Sequence, residues 1–246
     1  MVRSMPDRIF AEPRLAAIYD EIDGDRRDLD LYESILDRVG ARSVLDIGCG
    51  TGVLACRLSP RGLTVVGMDP ARASLDIARR KPGADLVTWV LGDASTLPPL
   101  TVDAVTMTGN VAQVFVNDDE WSAALNAAHA ALREGGHLVF ETRDPSYRAW
   151  EEWTREQSFL VTDTSAGRVE HWVELTEVAL PFVSFRHSYR FIDSGDFLTS
   201  DSTLRFRNRD EIRASLGAAG FSIEEVRDAP DRPGREFVVI SRSTPT

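Results

Sequence analysis

Cysteine is almost missing from this chain: Cys49 and Cys56 are the only two in 246 residues. Two are too few for a disulfide framework, and they do not stand in a zinc-ligand pattern, so they read as small buried residues and no metal site is expected. Long apolar runs are missing as well. No stretch approaches the roughly 18 consecutive apolar residues of a membrane helix, which excludes a bilayer-spanning chain. The opening MVRSMPDRIFAEPRL is broken by charges and prolines and has no signal-peptide core, which makes the cytoplasm the expected compartment. Basic charge is in deficit. Lys and Arg number 28 against 39 Asp and Glu, a net charge of −11, and this disfavours a nucleic-acid partner, whose affinity comes from phosphate neutralisation. The one arginine-rich stretch, RFRNRDEIR from Arg205 to Arg213, is offset by Asp210 and Glu211 where a helix is expected to start. A small molecule is the expected partner, and a second copy of the chain an alternative one.

What is present is an alternation. After two expected helices between Leu15 and Val39, broken at DGDRRD, short apolar runs alternate with helical patterns. The runs are Val44–Ile47, Thr64–Met68, Leu86–Leu91, Ala104–Met107 and His137–Glu141, with a helix from Asp118 to Arg133 before the last. Continuous apolar runs between helices signify a parallel sheet covered on both faces, and such sheets bind ligands beyond the carboxyl ends of their strands. Between Asp144 and Asn208 the pattern changes to four β-like runs around Ser-Ala-Gly and Ser-Gly-Asp turns, an antiparallel meander. The α/β pattern then resumes with helix Arg209–Gly220 and the runs Phe221–Val226 and Glu236–Ser241. The expected organisation is an N-terminal helical segment over 1–40 acting as a lid and one α/β domain over 41–246. A β insertion over 145–207 then serves as substrate cap or dimer surface. Residues up to about Pro13 are expected to form a flexible tail.

The stretch SVLDIGCGTG places glycines at 48, 50 and 52 between a strand and a helix, where a ligand can approach the backbone closely. This is not the dinucleotide fingerprint. Asp46, before the loop, would repel a pyrophosphate and suits a cationic group. Asp69 ends the next strand, where a carboxylate can pair with ribose hydroxyls, and Asp93 ends the third, where it can accept a bond from an adenine amino group. Three successive strands thus each end in an aspartate. VLDIGCGTG with VVGMDPA and GDASTLP resembles the signature series of class I S-adenosylmethionine-dependent methyltransferases, and the similarity in element order runs from about Leu31 to the C-terminus. The resemblance implies a doubly wound, seven-stranded mixed sheet, with the last strand inserted antiparallel and the β insertion after the fifth strand. It implies S-adenosylmethionine as cofactor. Asp46 and the backbone of Gly48, Cys49 and Gly50 would hold the methionine end, and Asp69 the ribose. Asp93 and Ala94 would meet the adenine, with Met68 and Pro70 near the rings; Asn110 would lie beside the methionine portion. Tyr19 matches an aromatic placed over the cofactor from the N-terminal helices, though it also fits the apolar stripe of its own helix.

Methyl transfer from a sulfonium needs alignment and water exclusion, and a base only where the nucleophile must lose a proton. The candidates for that and for acceptor binding are His187 and His171, each alternating with apolar side chains on a strand, and Arg143 after the fifth strand, with Glu141, Arg148 and Trp150 nearby. Packing roles compete for all of them. The reading is a methyltransferase acting on an oxygen or nitrogen of a small molecule. A non-catalytic cofactor-binding module, or a fold relative using the cofactor for another transfer, is the alternative.

Overall fold

The computed structural model describes residues 5–245. The first helices are α1 (Arg8–Ala11), α2 (Pro13–Asp23) and α3 (Asp28–Arg38); the chain then enters the alternation with β1 (Ser43–Ile47), α4 (Val53–Leu58), β2 (Thr64–Asp69), α5 (Arg72–Ala78), β3 (Val87–Leu91), β4 (Val102–Met107), α6 (Asp118–Ala131) and β5 (Leu132–Arg143). After α7 (Arg155–Ser158) come the meander strands β6 (Leu160–Thr164), β7 (Gly167–Ala179), β8 (Phe182–Phe191) and β9 (Phe197–Arg205), followed by α8 (Arg209–Ala218), β10 (Phe221–Asp228) and β11 (Glu236–Ser243).

The main sheet has the strand order β3-β2-β1-β4-β5-β11-β10. Only β11 runs against its neighbours, pairing antiparallel with both β5 and β10. Adjacent residues along each central strand go to opposite cores. Leu45, Val105, Phe140 and Val239 pack towards α6 and α8, whereas Val44, Ala104, Val139 and Val238 pack towards α3 and α4. This is why the strands read as unbroken apolar runs: both faces are buried. Strand β5 begins five residues earlier than its apolar run, at Leu132, with Gly135 at a left-handed φ of 69° where the register with β4 shifts.

The second sheet is the antiparallel meander β6-β7-β8-β9. Its inner face is covered within the chain. Val169, Tyr189 and Phe191 pack against Ile9, Leu15 and Ile18 of the N-terminal helices, and Phe185 and Val183 pack with Trp150 and Phe206. The expected tail before Pro13 is therefore corrected over the described residues from Met5: Arg8–Ala11 is helical and Ile9 is buried, its amide donating to Ser200 Oγ at 2.8 Å. Residues 1–4 lie outside the described residues. No helix among the described residues is long and apolar enough to cross a membrane.

Candidate active site

The carboxyl ends of β1, β2 and β4 build the floor of the crevice, and the three loop glycines serve it differently. A Cβ on Gly48 (φ 68°) would lie 2.7 Å from Val111 and one on Gly52 (φ 76°) 2.5 Å from Trp89, so these two permit close packing. Gly50, at φ 54°, faces open space with nothing within 4 Å of its would-be Cβ. That is the position where a ligand can lie against the backbone. The loop is wired from β2. The carbonyl of Met68 accepts from the amides of Gly48 and Cys49 at 2.8 and 3.0 Å, and the Asp69 carboxylate spans the amides of Gly50 and Ala71, both at 2.8 Å. The N–H groups of Gly48 and Cys49 are thus committed inside the protein, and the Cys49 carbonyl accepts from the Gly52 amide at 2.8 Å. Met68 is likewise a core residue whose side chain packs under the sheet.

Asp46 is buried. Its Oδ1 accepts from Thr106 Oγ1 at 2.7 Å, while Oδ2 is buried without a partner. Burial raises its carboxyl to about 7, with the Thr106 bond and the charge of Arg26 pulling the other way. At the end of the neighbouring strand β4, Asn110 sits in a left-handed conformation (φ 61°) and donates Nδ2 to both oxygens of Glu236 at 3.2 Å; its Oδ1 is also buried and unpaired. Two orphaned acceptors on adjacent strand ends are costly unless something donates to them. An ammonium group, with three N–H donors, meets that requirement. The methionine end of S-adenosylmethionine carries one, so the residues fit this cofactor.

Towards the other end of the crevice, Asp93 and Ala94 are half-buried at the turn after β3, where the Asp93 amide and carbonyl both engage Thr96 Oγ1 at 2.9 Å. Pro70 is exposed. Tyr19, on α2, packs with its ring tilted 54° against Phe10 at 5.4 Å; burial and the charge of Asp23 raise its hydroxyl pKa.

Beside the end of β5 stand Arg143 and two histidines of the meander. Arg143, ending β5, donates Nη1 to Gln113 Oε1 at 3.1 Å, places Nε 3.4 Å from Glu236 Oε1 and lies 5.5 Å from the Trp153 ring. Glu236 is shared with Arg232 at 2.8 Å. His171 bonds Thr162 Oγ1 through Nε2 at 2.9 Å and burial lowers its pKa. His187 stands between Phe185 and Tyr189 and makes no hydrogen bond among the described residues. Burial first, then the charges of His171 and Arg143, push it down to about 4, so it is a neutral acceptor near pH 7. The charge of Arg143 acts on both His187 and Tyr19, so the end of β5, β8 and α2 lie near one another.

Other candidates fall outside. Glu141 accepts from the amides of Gly109 and Asn110 at 2.7 and 3.2 Å and shapes the β4 turn. Arg148 is exposed and pairs with Glu151, and Trp150 packs at 4.6 Å against Phe206. The arginines from 205 to 213 are spent locally, Arg205 on Asp118 and Arg207 on the carbonyls of Ala112 and Phe115. Residues the sequence did not single out include Glu236 and Gln113, which orient Asn110 and Arg143, and Arg26, which bonds Asp28 twice and reaches Asp46 electrostatically.

The model of a methyltransferase domain family matches residues 44–136. A methyltransferase of Geobacillus sp. (strain WCH70) is 33% identical over 197 residues, covering 77% of this chain and 77% of that protein. The chain belongs to the class I S-adenosylmethionine-dependent methyltransferases. Among solved structures, the CcbJ methyltransferase of Streptomyces caelestis superposes with a TM-score of 0.78 at 22% identity, over 98% of this chain and all of that one. An amino pentose methyltransferase of Micromonospora echinaspora, solved with S-adenosylmethionine bound, gives 0.70 at 24% identity, over 91% and 94%. S-adenosylmethionine is the methyltransferase's cofactor.

Proposed function

We propose that this methyltransferase methylates an oxygen or nitrogen of a small molecule held between the strand ends and the meander roof. The observation that carries this reading is His187, an unpartnered neutral imidazole set in an aromatic wall within reach of the Arg143 charge. When bound, the cofactor supplies a methyl group already activated by the sulfonium charge. The chain's own residues then have three tasks. Asp46 and Asn110 hold the ammonium of the methionine end, with Arg26 close enough to attract its carboxylate; Asp69 takes the ribose hydroxyls, and Asp93 and Ala94 the adenine, beside Pro70. Arg143 orients the acceptor through the guanidinium edge that Gln113 and Glu236 leave open. His187, kept neutral by burial and by the Arg143 charge, accepts a hydrogen bond from the hydroxyl or amine of the acceptor and aligns it, with His171 lining the same wall. Residues 1–40 serve as the lid and 145–207 as the acceptor cap. Dry aromatic walls at Phe185, Tyr189 and Trp153 exclude water from the transfer.

The similarity to an amino pentose methyltransferase supports trying amino sugars first. The test incubates the protein with S-adenosylmethionine and a panel of amino sugars, other small amines and alcohols. S-adenosylhomocysteine should appear together with a product heavier by one methyl group, carried on N or O. Methylation found only on carbon would overturn the reading.

A further inference from the structure

The N-terminal helices and the meander are tied together more firmly than either is tied to the cofactor loop. Besides the shared core of Ile9, Leu15, Ile18, Val169, Tyr189 and Phe191, three polar contacts reach three separate points of the meander. The Ile9 amide bonds Ser200, Arg14 pairs with Asp196 at 3.0 Å, and Glu21 accepts from the Ser165 amide at 2.8 Å. Helix α2 ends at Gly24, whose φ of 77° and empty surroundings make a point where the chain can turn. Beyond it, α3 is anchored to α4 by Arg57, which bonds the Arg26 carbonyl at 2.9 Å and pairs with Asp30 and Glu33.

Across the crevice mouth, the cap meets the cofactor loop through Asp20. Its Oδ1 accepts from Thr51 Oγ1 at 2.5 Å, and its Oδ2 pairs with Lys81 Nζ at 2.5 Å. Lys81 also donates to the Thr51 carbonyl at 2.7 Å, closing a triangle. Thr51 lies inside the glycine loop, next to Gly50. Lys81 is the only lysine in the chain, all other basic side chains apart from histidine being arginine. Helix α5 packs along both α1 and α2 as well, and Ser74 Oγ donates to the Phe10 carbonyl at 3.0 Å, so the cap that Asp20 joins to the loop already rests on α5.

We propose that Asp20 is a positioning residue that latches one cap, made of α1, α2 and the meander together, onto the glycine loop through Thr51 and Lys81. Resting on the methyltransferase reading, this means that the cofactor crevice and the acceptor roof open and close in one movement. Closing the latch sets Tyr19, the residue before Asp20, over the crevice at the same time as it brings His187 down on the acceptor. The dependence is mutual: a cofactor seated against Gly50 steadies the loop that Asp20 grips, and the gripped cap retains the cofactor.

The lysine gives a direct probe. Acylation of wild type, D20A, D20N and T51A with an N-hydroxysuccinimide acetate, followed by peptide mass spectrometry, reads Lys81 exposure without any ligand. Hydrogen exchange of the same proteins reads α2 and the turns at 163–168 and 193–197. D20A should acylate Lys81 about tenfold faster or more, the scale of one lost charge-assisted bond, and should raise exchange in α2 and both turns together while β1, β4 and β5 stay protected. S-adenosylhomocysteine should leave D20A at least about tenfold faster than wild type, and the KM for the acceptor should rise with it. D20N, which can still accept from Thr51, should recover part of each effect, and T51A should add little to D20A. Unchanged Lys81 acylation, exchange that rises in α2 but not in the turns, or an unchanged ligand release rate would each overturn the proposal. Wild type that binds no S-adenosylhomocysteine while showing the exchange pattern would instead sink the methyltransferase reading, and with it the gating role.

Discussion

At the strand ends of the crevice floor, fixed polar contacts hold the acids. Asp69 is fixed by the amides of Gly50 and Ala71, and Asp46 by Thr106 Oγ1. On the meander face, His187 is held by packing alone, between Phe185 and Tyr189, with Trp153 meeting Phe185 at 4.7 Å. The difference matters for what each wall can do. Backbone amides at strand ends give a fixed pattern suited to a cofactor that never varies. An aromatic wall with one unpaired imidazole adapts to an acceptor by changing a few side chains and leaves the fold alone.

The most disruptive way to break this contrast is at Gly50. Gly50→Val fills the one open position of the loop and forces a branched side chain to φ 54°, so cofactor binding should become undetectable by titration calorimetry while the circular dichroism spectrum is kept. Normal affinity in that variant would put the cofactor elsewhere. Next in size is Asp69→Ala, which should weaken S-adenosylmethionine by about 1.5–3 kcal/mol, the scale of bonds to a charged acceptor. Because Asp69 is buried and also holds two amides, a drop in Tm should accompany the loss.

Asp46 sharpens the comparison through pH. Burial lifts its carboxyl from 3.8 to about 7, so in the ligand-free protein its contribution to stability is present at low pH and lost as pH rises through about 7. A bound ammonium favours the carboxylate. Cofactor affinity should therefore fall about tenfold per unit as pH drops below about 7, with a proton released on binding. Calorimetry in two buffers of different ionisation enthalpy detects that proton. Asp46→Asn should flatten the dependence, and a wild-type affinity flat from pH 5.5 to 8 would contradict the assignment. The smallest effect is expected at Arg148, whose exposed pair with Glu151 touches neither wall; Arg148→Ala should change stability by less than about 0.5 kcal/mol and leave turnover alone.

The floor was legible because its information is local. Glycines at alternate positions, an acid before them and acids closing the next two strands lie within one continuous stretch, and both-face burial wrote the strands as apolar runs. The meander was legible as strands for the same reason: alternation is local. Its partners were not. Asn110 meets Glu236 across 126 positions, and Ile9 meets Ser200 across 191, so neither pairing leaves a pattern in sequence. The short α1 was invisible because four residues cannot show a helical period, and Ile9 is buried only by the meander. Cys49 and Met68 read as ligand neighbours from motif position, whereas the register of β1 with β2 turns their polar backbone groups towards each other.

The division of labour between the two walls is tested most directly by one doubly substituted protein, Arg143→Ala with His187→Ala, in which S-adenosylmethionine affinity and acceptor turnover are measured side by side. Turnover should fall about a hundredfold or more, the range of a misaligned acceptor, while cofactor affinity stays within about threefold, less than one unpaired hydrogen bond. Equal losses in both quantities, or turnover at the wild-type rate, would contradict the claim that the roof serves the acceptor and the floor the cofactor.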